Sequence, residues 1–217
     1  AEPAYLGQDE RCCGSTLRKL GEEELARSNA EACFGDFKKA GAKLVVTSCP
    51  GCSSALNHYP DLLEASGVRV QHISQFLDGN LSEATCSPSR DFGDVTFHDP
   101  CDLGRAQGVY EEPRRVLAKI LGRNPIEMEL SKKNSACCGS GSGVKSVYPD
   151  LAKAIGQDRI AMAKAAGASV IVTSCPWCEQ NLRDSQCDSP DITVMDLVEV
   201  VEKSLAENAL KMSTTRG

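Results

Sequence analysis

Cys101 is followed, after thirty-five residues, by Cys137-Cys138-Gly139, and thirty-six residues separate Cys138 from Cys175-Pro176-Trp177-Cys178. The same frame occurs earlier as Cys12-Cys13-Gly14, with thirty-five residues between Cys13 and Cys49-Pro50-Gly51-Cys52. The surroundings repeat as well. Gly41-Ala42-Lys43-Leu44-Val45-Val46-Thr47-Ser48-Cys49-Pro50 matches Gly167-Ala168-Ser169-Val170-Ile171-Val172-Thr173-Ser174-Cys175-Pro176. The offset is 126 at the CPxC (175 − 49) and 125 at the adjacent pair (137 − 12). Core packing does not require cysteines at fixed spacing, so the pattern is an internal duplication of a chemical site. The first-repeat counterpart of Cys101 falls near position −24 (101 − 125), ahead of Ala1. The expectation is a C-terminal portion of a longer protein.

A length of 217 residues suits two modules of about 100 residues each, long enough to bury cores without disulfides. A net charge of −6 and the lack of a basic stripe argue against a nucleic-acid partner. No run of 18 apolar residues offers a membrane span. Twelve cysteines would make six disulfides in a secreted chain. Adjacent pairs and CPxC pairs are poor long-range staples, so metal or redox chemistry is the better reading.

The spacing predicts an α/β protein with two tandem duplicated modules, each a short, mainly parallel sheet flanked by helices. The boundaries are 1–80 for the first module, 81–93 for a linker, 94–211 for the second module and 212–217 for a tail. In the first, a helix is expected over 22–40, with Leu25, Ala32, Cys33 and Phe37 on its buried face. A strand over 43–48, a helix over 50–65, a strand over 68–73 and a short helix near Gln75-Phe76-Leu77 follow. In the second, strands are expected over 94–98, 126–130, 168–173 and 192–195. Helices are expected over 112–121, over 149–166 with Leu151, Ile155, Met162 and Ala165 buried, over 176–184, and from Asp196 onward. Both CPxC motifs then lie at the carboxyl end of a strand, where α/β sheets place ligands. Proline at the first helical turn is tolerated there, and thiolates meet unpaired N–H groups and the positive end of the helix dipole. Cys33 reads as core, and Cys86 and Cys187 as bystanders in polar segments.

Four chemistries compete for the repeated cysteines. A thioredoxin-like dithiol explains a CPxC between strand and helix but not the adjacent pairs. Structural zinc takes four ligands. The first repeat offers four, Cys12, Cys13, Cys49 and Cys52, and the second offers five, Cys101, Cys137, Cys138, Cys175 and Cys178. A cubane cluster also takes four thiolates, and the clustered ferredoxin spacing is absent. A cluster using all five cysteines is favoured over zinc for the second repeat by ligand count. The loop Gly139-Ser140-Gly141-Ser142-Gly143 matches neither G-x-G-x-x-G nor a P-loop. Gly139, Gly141 and Gly143 are candidate cofactor contacts, since small residues let backbone N–H groups or a substrate approach a cluster. His98 and Asp99 read as strand-end and turn residues, with a proton-donor role as the alternative. His58 and His72 have no supporting context.

The duplicated CCG…CPxC frame resembles the cysteine-rich CCG domain family, which includes the B-type and D-type subunits of heterodisulfide reductase and the iron–sulfur subunits of glycolate, lactate and glycerol-3-phosphate oxidising enzymes. His98-Asp99-Pro100-Cys101-Asp102-Leu103-Gly104-Arg105 and Cys137-Cys138-Gly139-Ser140-Gly141-Ser142-Gly143-Val144 look most like the D-type branch. The resemblance covers essentially the whole chain. It implies a non-cubane [4Fe-4S] cluster on Cys101, Cys137, Cys138, Cys175 and Cys178, at which a disulfide is reduced or a dithiol oxidised. For the first motif it implies metal ligation by Cys12, Cys13, Cys49 and Cys52 without the leading cysteine, so zinc stays open there. It further implies a cytoplasmic component of a redox complex, with a ferredoxin-like or flavin-bearing electron donor and peripheral membrane attachment through a membrane cytochrome b partner. An electron-relay component of a hydroxyacid or glycerol-3-phosphate oxidase, and a zinc-stabilised docking module, are the alternatives.

Overall fold

The computed structural model of the chain describes residues 3–82, 92–186 and 191–214, with 206–214 described by backbone alone. Cys86, Cys187, most of the expected linker and the end of the expected tail lie outside the described residues. Contacts divide the chain into two compact units, Ala1–Thr47 with Gly51–Gln71, and Ser48–Pro50 with His72–Gly217.

The first unit opens with helices α1 (Ser15–Lys19) and α2 (Glu23–Lys39). Glu23 and Glu24 in the first turn of α2 and Lys38 and Lys39 in its last complement the helix dipole. Strand β1 (Leu44–Thr47), helices α3 (Pro50–Asn57) and α4 (Pro60–Ser66) and strand β2 (Arg69–His72) follow. β1 and β2 form a short parallel sheet. The core joins Ala30, Cys33 and Phe34 of α2 to Leu56, Tyr59, Val68 and Val70. The single helix expected over 50–65 is broken at Tyr59, whose φ of −112° and ψ of 82° are not helical. Pro60 has no N–H to continue the ladder and crowds the residue before it out of the helical region. The expected buried face of α2 is also corrected: Leu25 is exposed, while Ala26, Ala30, Cys33 and Phe34 are buried.

In the second unit, α5 (Ile73–Asn80) precedes β3 (Val95–Phe97), α6 (Gly104–Gln107) and α7 (Glu111–Leu121). Then come α8 (Val144–Val147), α9 (Pro149–Ala165), β4 (Val170–Thr173), α10 (Pro176–Ser185), β5 (Thr193–Asp196) and α11 (Leu197–Thr214). The sheet has the order β3-β4-β5, all parallel, with Val95 opposite Val170 and Val170 opposite Thr193. Side chains alternate across it. Val95, Phe97, Val170 and Val172 pack against Val116, Leu117 and Ile120 of α7 and Leu197 and Val200 of α11. Ile171 and Val194 join Ile160 and Ala163 of α9, Leu182 of α10 and Cys138, Cys175 and Cys178 in a second cluster. The cysteines are thus part of one face's core.

The strand expected over 126–130 shrinks to one bridge between Thr96 and Ile126. Thr96 Oγ1 donates to the Ile126 carbonyl (2.6 Å), and Glu127 turns to Arg114. The buried face of α9 comprises Ala152, Gly156, Arg159, Ile160 and Ala163, whereas Leu151 is exposed. His72 is buried and caps α5: its Nδ1 accepts from the Ser74 N–H (3.3 Å), and Gln75 accepts from the His72 N–H (3.1 Å). Burial lowers the pKa of the His72 imidazole, which favours the neutral form.

Candidate metal centre

The parallel sheet delivers the site. β4 ends at Thr173, and Ser174-Cys175 leads into α10, whose first residue is Pro176. Cys175 is therefore the N-cap, and Cys178 lies in the first turn. β3 ends one strand over, and the His98 N–H donates to the Val172 carbonyl (2.8 Å), which carries His98-Asp99-Pro100-Cys101 to the same edge. Thr173 Oγ1 donates to the His98 carbonyl (3.3 Å). Asp99 does not face outward as a proton donor: both its oxygens accept from Arg114 (2.7 and 2.9 Å), and one also accepts from the Lys132 N–H (2.7 Å).

Cys137 and Cys138 arrive on the loop before α8. Asn181 of α10 pins this loop by donating to the Cys138 carbonyl (2.6 Å) and to the Ala152 carbonyl of α9 (2.8 Å). Gly139 takes a φ of +91°, and a Cβ there would meet Ala152 O at 2.6 Å. Only glycine fits this close approach. Its N–H donates to Cys137 Sγ (3.3 Å). Gly143 has a φ of +81° and opens α8, and Gly141 has open space where a Cβ would be.

Potential ligand atoms of His98, Cys138 and Cys178 lie within 4.8 Å of one another, and all three residues are buried. Cys175 is hydrogen-bonded to Cys178, and Cys137 lies beside Cys138 with Cys101 in electrostatic range. The five second-repeat cysteines are therefore gathered at one edge. Cys138, Cys175 and Cys178 are buried, Cys101 is half-buried and Cys137 is exposed. No disulfide joins any of the ten described cysteines. Hydrogen bonds from Cys137, Cys178 and His98 hold the Cys138 thiol far below its ordinary pKa. Donation to Cys138, then burial, pushes Cys137 up. Cys178 is raised by donation to Cys138 and Cys175 and by burial. The pocket thus concentrates sulfur donors around one stabilised thiolate.

The first repeat shows the same local construction. Gly14 has a φ of +78°, and a Cβ there would meet Ala26 O of α2 at 2.8 Å. The Gly14 N–H points at Cys12 Sγ (3.5 Å), and Cys13 Sγ lies 3.0 Å from Cys52 Sγ. Cys12 is exposed. Cys49 belongs to the second unit, where it lies within hydrogen-bonding range of Cys175. Cys33 is in the core as expected, its thiol pushed up to about 11 by burial first.

The donor set fits an iron–sulfur cluster. Soft thiolates suit iron–sulfur chemistry, and five gathered sulfurs exceed the four that zinc takes. The Ser140 and Ser174 hydroxyls are buried without a partner, and each lies within two residues of a gathered cysteine. Buried donors of this kind call for acceptors, which cluster sulfides supply. Sequence reasoning misses Asn181, Arg114 and Arg159, since each acts on residues far away in the chain.

The cysteine-rich CCG domain family matches residues 1–57 and 95–183, one segment over each repeat. Among curated proteins, the chain is 39% identical over 213 residues to the D-type component of the dihydromethanophenazine:CoB–CoM heterodisulfide reductase of Methanosarcina barkeri, covering 93% of this chain and 51% of that protein. It is 33% identical to the B-type component of the CoM/CoB fumarate reductase of Methanothermobacter marburgensis, with 91% and 39% covered. It is also 33% identical to the EtfAB:quinone oxidoreductase of Syntrophomonas wolfei, with 93% and 29% covered. The chain spans about half the length, or less, of these relatives. No helix among the described residues is long and apolar enough to cross a membrane. A match over both cysteine frames places the chain in the CCG cysteine-rich domain family.

Proposed function

We propose that the chain is an iron–sulfur oxidoreductase module of the heterodisulfide reductase type, acting on a disulfide or dithiol. In this reading Cys101, Cys137, Cys138, Cys175 and Cys178 hold a non-cubane [4Fe-4S] cluster. The observation that carries it is the convergence of five cysteines, three of them buried, at the edge of one parallel sheet. The relatives named as components of heterodisulfide reductase and fumarate reductase support a redox role within a larger assembly.

When bound, the cluster supplies one-electron chemistry. The chain's own residues set its surroundings. Cys138, Cys175 and Cys178 exclude water on the core side, while Cys137 and Cys101 mark the accessible side from which substrate approaches. The Gly139 N–H, the Ser140 and Ser174 hydroxyls and His98 provide hydrogen bonds to sulfur. Cys12, Cys13, Cys49 and Cys52 form the second metal site, with zinc as its alternative occupant. The modules are 1–80 and 94–211. Electrons come from a ferredoxin-like or flavin-bearing partner in the cytoplasm, with a membrane cytochrome b protein as the peripheral anchor.

The relative named EtfAB:quinone oxidoreductase favours a second reading, in which the chain relays electrons and touches no disulfide. Iron, acid-labile sulfide and zinc, measured on anaerobically purified protein, are the first test. About four irons and four sulfides per complete site are expected. Zinc without sulfide would sink both redox readings. Disulfide turnover by the loaded chain, lost in Cys138→Ser, then separates reductase from relay.

A further inference from the structure

Arg159 is the largest fully buried side chain among the described residues. Its guanidinium donates to His98 Nδ1 (3.0 Å), the Leu130 carbonyl (2.8 Å) and Ser135 Oγ (3.2 Å), and Nη1 lies 3.6 Å from Met162 Sδ. All four acceptors are neutral. Among the described residues no carboxylate pairs directly with it. Asp99 acts on it through space but is already clasped by Arg114, which also binds Glu127 through two nitrogens. A buried cation without a matched anion is strongly unfavourable. The stabilised thiolate in reach is Cys138, with the Cys178 sulfur beside it.

His98 stands between. An arginine side chain only donates, so His98 Nδ1 must accept, and the neutral ring carries its proton on Nε2. With Nδ1 taken by Arg159, Nε2–H is the group left for the hydrogen bond that His98 makes to Cys138, with the Cys178 sulfur nearby. A protonated Nε2 has no lone pair for a metal. His98 is therefore a hydrogen-bond donor in this cluster of groups and not a ligand.

We propose that Arg159 and His98 are a positioning pair that makes the second module's cluster easier to reduce. Arg159 fixes the imidazole as an Nε2–H donor to the Cys138 sulfur and supplies a buried counter-charge to the anionic centre. This rests on the cluster reading above. Hydrogen bonds to ligand sulfur and nearby positive charge both favour the reduced, more negative state. The pair has no copy in the first repeat. Helices α2 and α9 align start to start (Glu23 with Pro149), and the counterpart of Arg159 is Cys33 (159 − 126). The same core position thus holds a neutral thiol in one module and a cation in the other.

The test is an EPR-monitored redox titration of the anaerobically purified chain, with iron and sulfide counted in every sample. His98→Leu and Arg159→Met are expected to keep their iron and to titrate at a more negative potential. His98→Gln, which keeps an N–H donor, and Arg159→Lys, which keeps the charge, are expected to shift less in the same direction. Lys153→Gln removes a charge from the exposed side of the same helix and should leave the potential unchanged. Wild-type potentials in iron-replete His98 and Arg159 variants overturn the pairing. Should the leucine and methionine variants not fold, the conservative pair decides: a negative shift supports the proposal and none overturns it. Wild-type protein without iron and sulfide is a separate result, the failure of the cluster reading itself.

Discussion

Gly139 and Gly14 press against the backbone of the second helix after each cysteine pair, α9 at Ala152 O and α2 at Ala26 O. Both have positive φ as well, so an added methyl group meets torsional strain and a carbonyl oxygen together. Gly139→Ala is expected to lower stability by roughly 2–4 kcal/mol, whereas Gly141→Ala, with open space around its Cβ, should stay within about 0.5 kcal/mol. Urea midpoints of the three proteins check this, and equal midpoints would refute the close approach. Asn181→Ala should cost about 1–3 kcal/mol, since it strips two buried carbonyls of their donor. At this scale the CCG glycine is legible because the chain repeats it beside the cysteines. Asn181 and Arg159 are not: a polar residue inside an amphipathic helix shows its partner only once the sheet brings Cys138 or His98 beside it.

The elements explain where the sequence reading slips. It centres α2 on Leu25 and α9 on Leu151 because large apolar residues usually mark a buried face, yet both are exposed. The faces turned inward begin with small residues, Ala26 and Ala30, and Ala152 and Gly156, since the cysteine loops must approach closely there. Gly156 packs so tightly on Ser185 of α10 that a Cβ would fall 2.2 Å from Ser185 Oγ. The strands and the longer helices are legible from apolar runs and proline positions, and the short helices α1, α6 and α8 are too brief for periodicity to reveal. The start of α11 carries a pH prediction. Asp196 Oδ1 accepts from the Val198 N–H (2.8 Å), and Glu199 accepts from the Asp196 N–H (3.0 Å), a reciprocal cap. Burial first, and then the charges of Glu179 and Glu199, push Asp196 up to about 6. Its folded pKa exceeds the unfolded value, so the folded state holds the proton more tightly. This residue's contribution to stability therefore falls as pH rises from about 4 to about 6 and is level above that, by at most about 3 kcal/mol. Asp196→Asn keeps a capping side chain and removes the charge. It is expected to gain stability over wild type at pH 7 and to lose that advantage near pH 4, as followed by urea midpoints across the range.

For the molecule as a whole, the repeated frame sets the expectation of two equivalent sets of cysteines, and Cys49 departs from it. Cys12, Cys13 and Cys52 belong to the first unit, while Cys49 falls in the second and lies beside Cys175. The pKa of the Cys175 thiol is pulled down by its bond with Cys178 but pushed up more by Cys49 and burial, so the net shift is upward. A cysteine read from its spacing as a first-motif ligand thus sits in the electrostatic environment of the second motif. Three substitutions separate these roles. Cys178→Ser removes a buried sulfur that contacts both Cys138 and Cys175; it should strip about four irons and four sulfides from the anaerobic chain. Cys52→Ser removes the sulfur 3.0 Å from Cys13; it should empty only the first site and leave the second module's EPR signal and iron intact. Cys49→Ser should do both in part: the first site loses its metal, and the second keeps its iron with an altered spectrum, because the neighbour of Cys175 has changed. If Cys49→Ser and Cys52→Ser give the same second-module spectrum, Cys49 acts only within the first motif and the contact with Cys175 has no electronic consequence. If Cys49→Ser alone moves it, the chemistry of the second cluster depends on a residue contributed by the first motif, which counting ligands along the sequence cannot reveal.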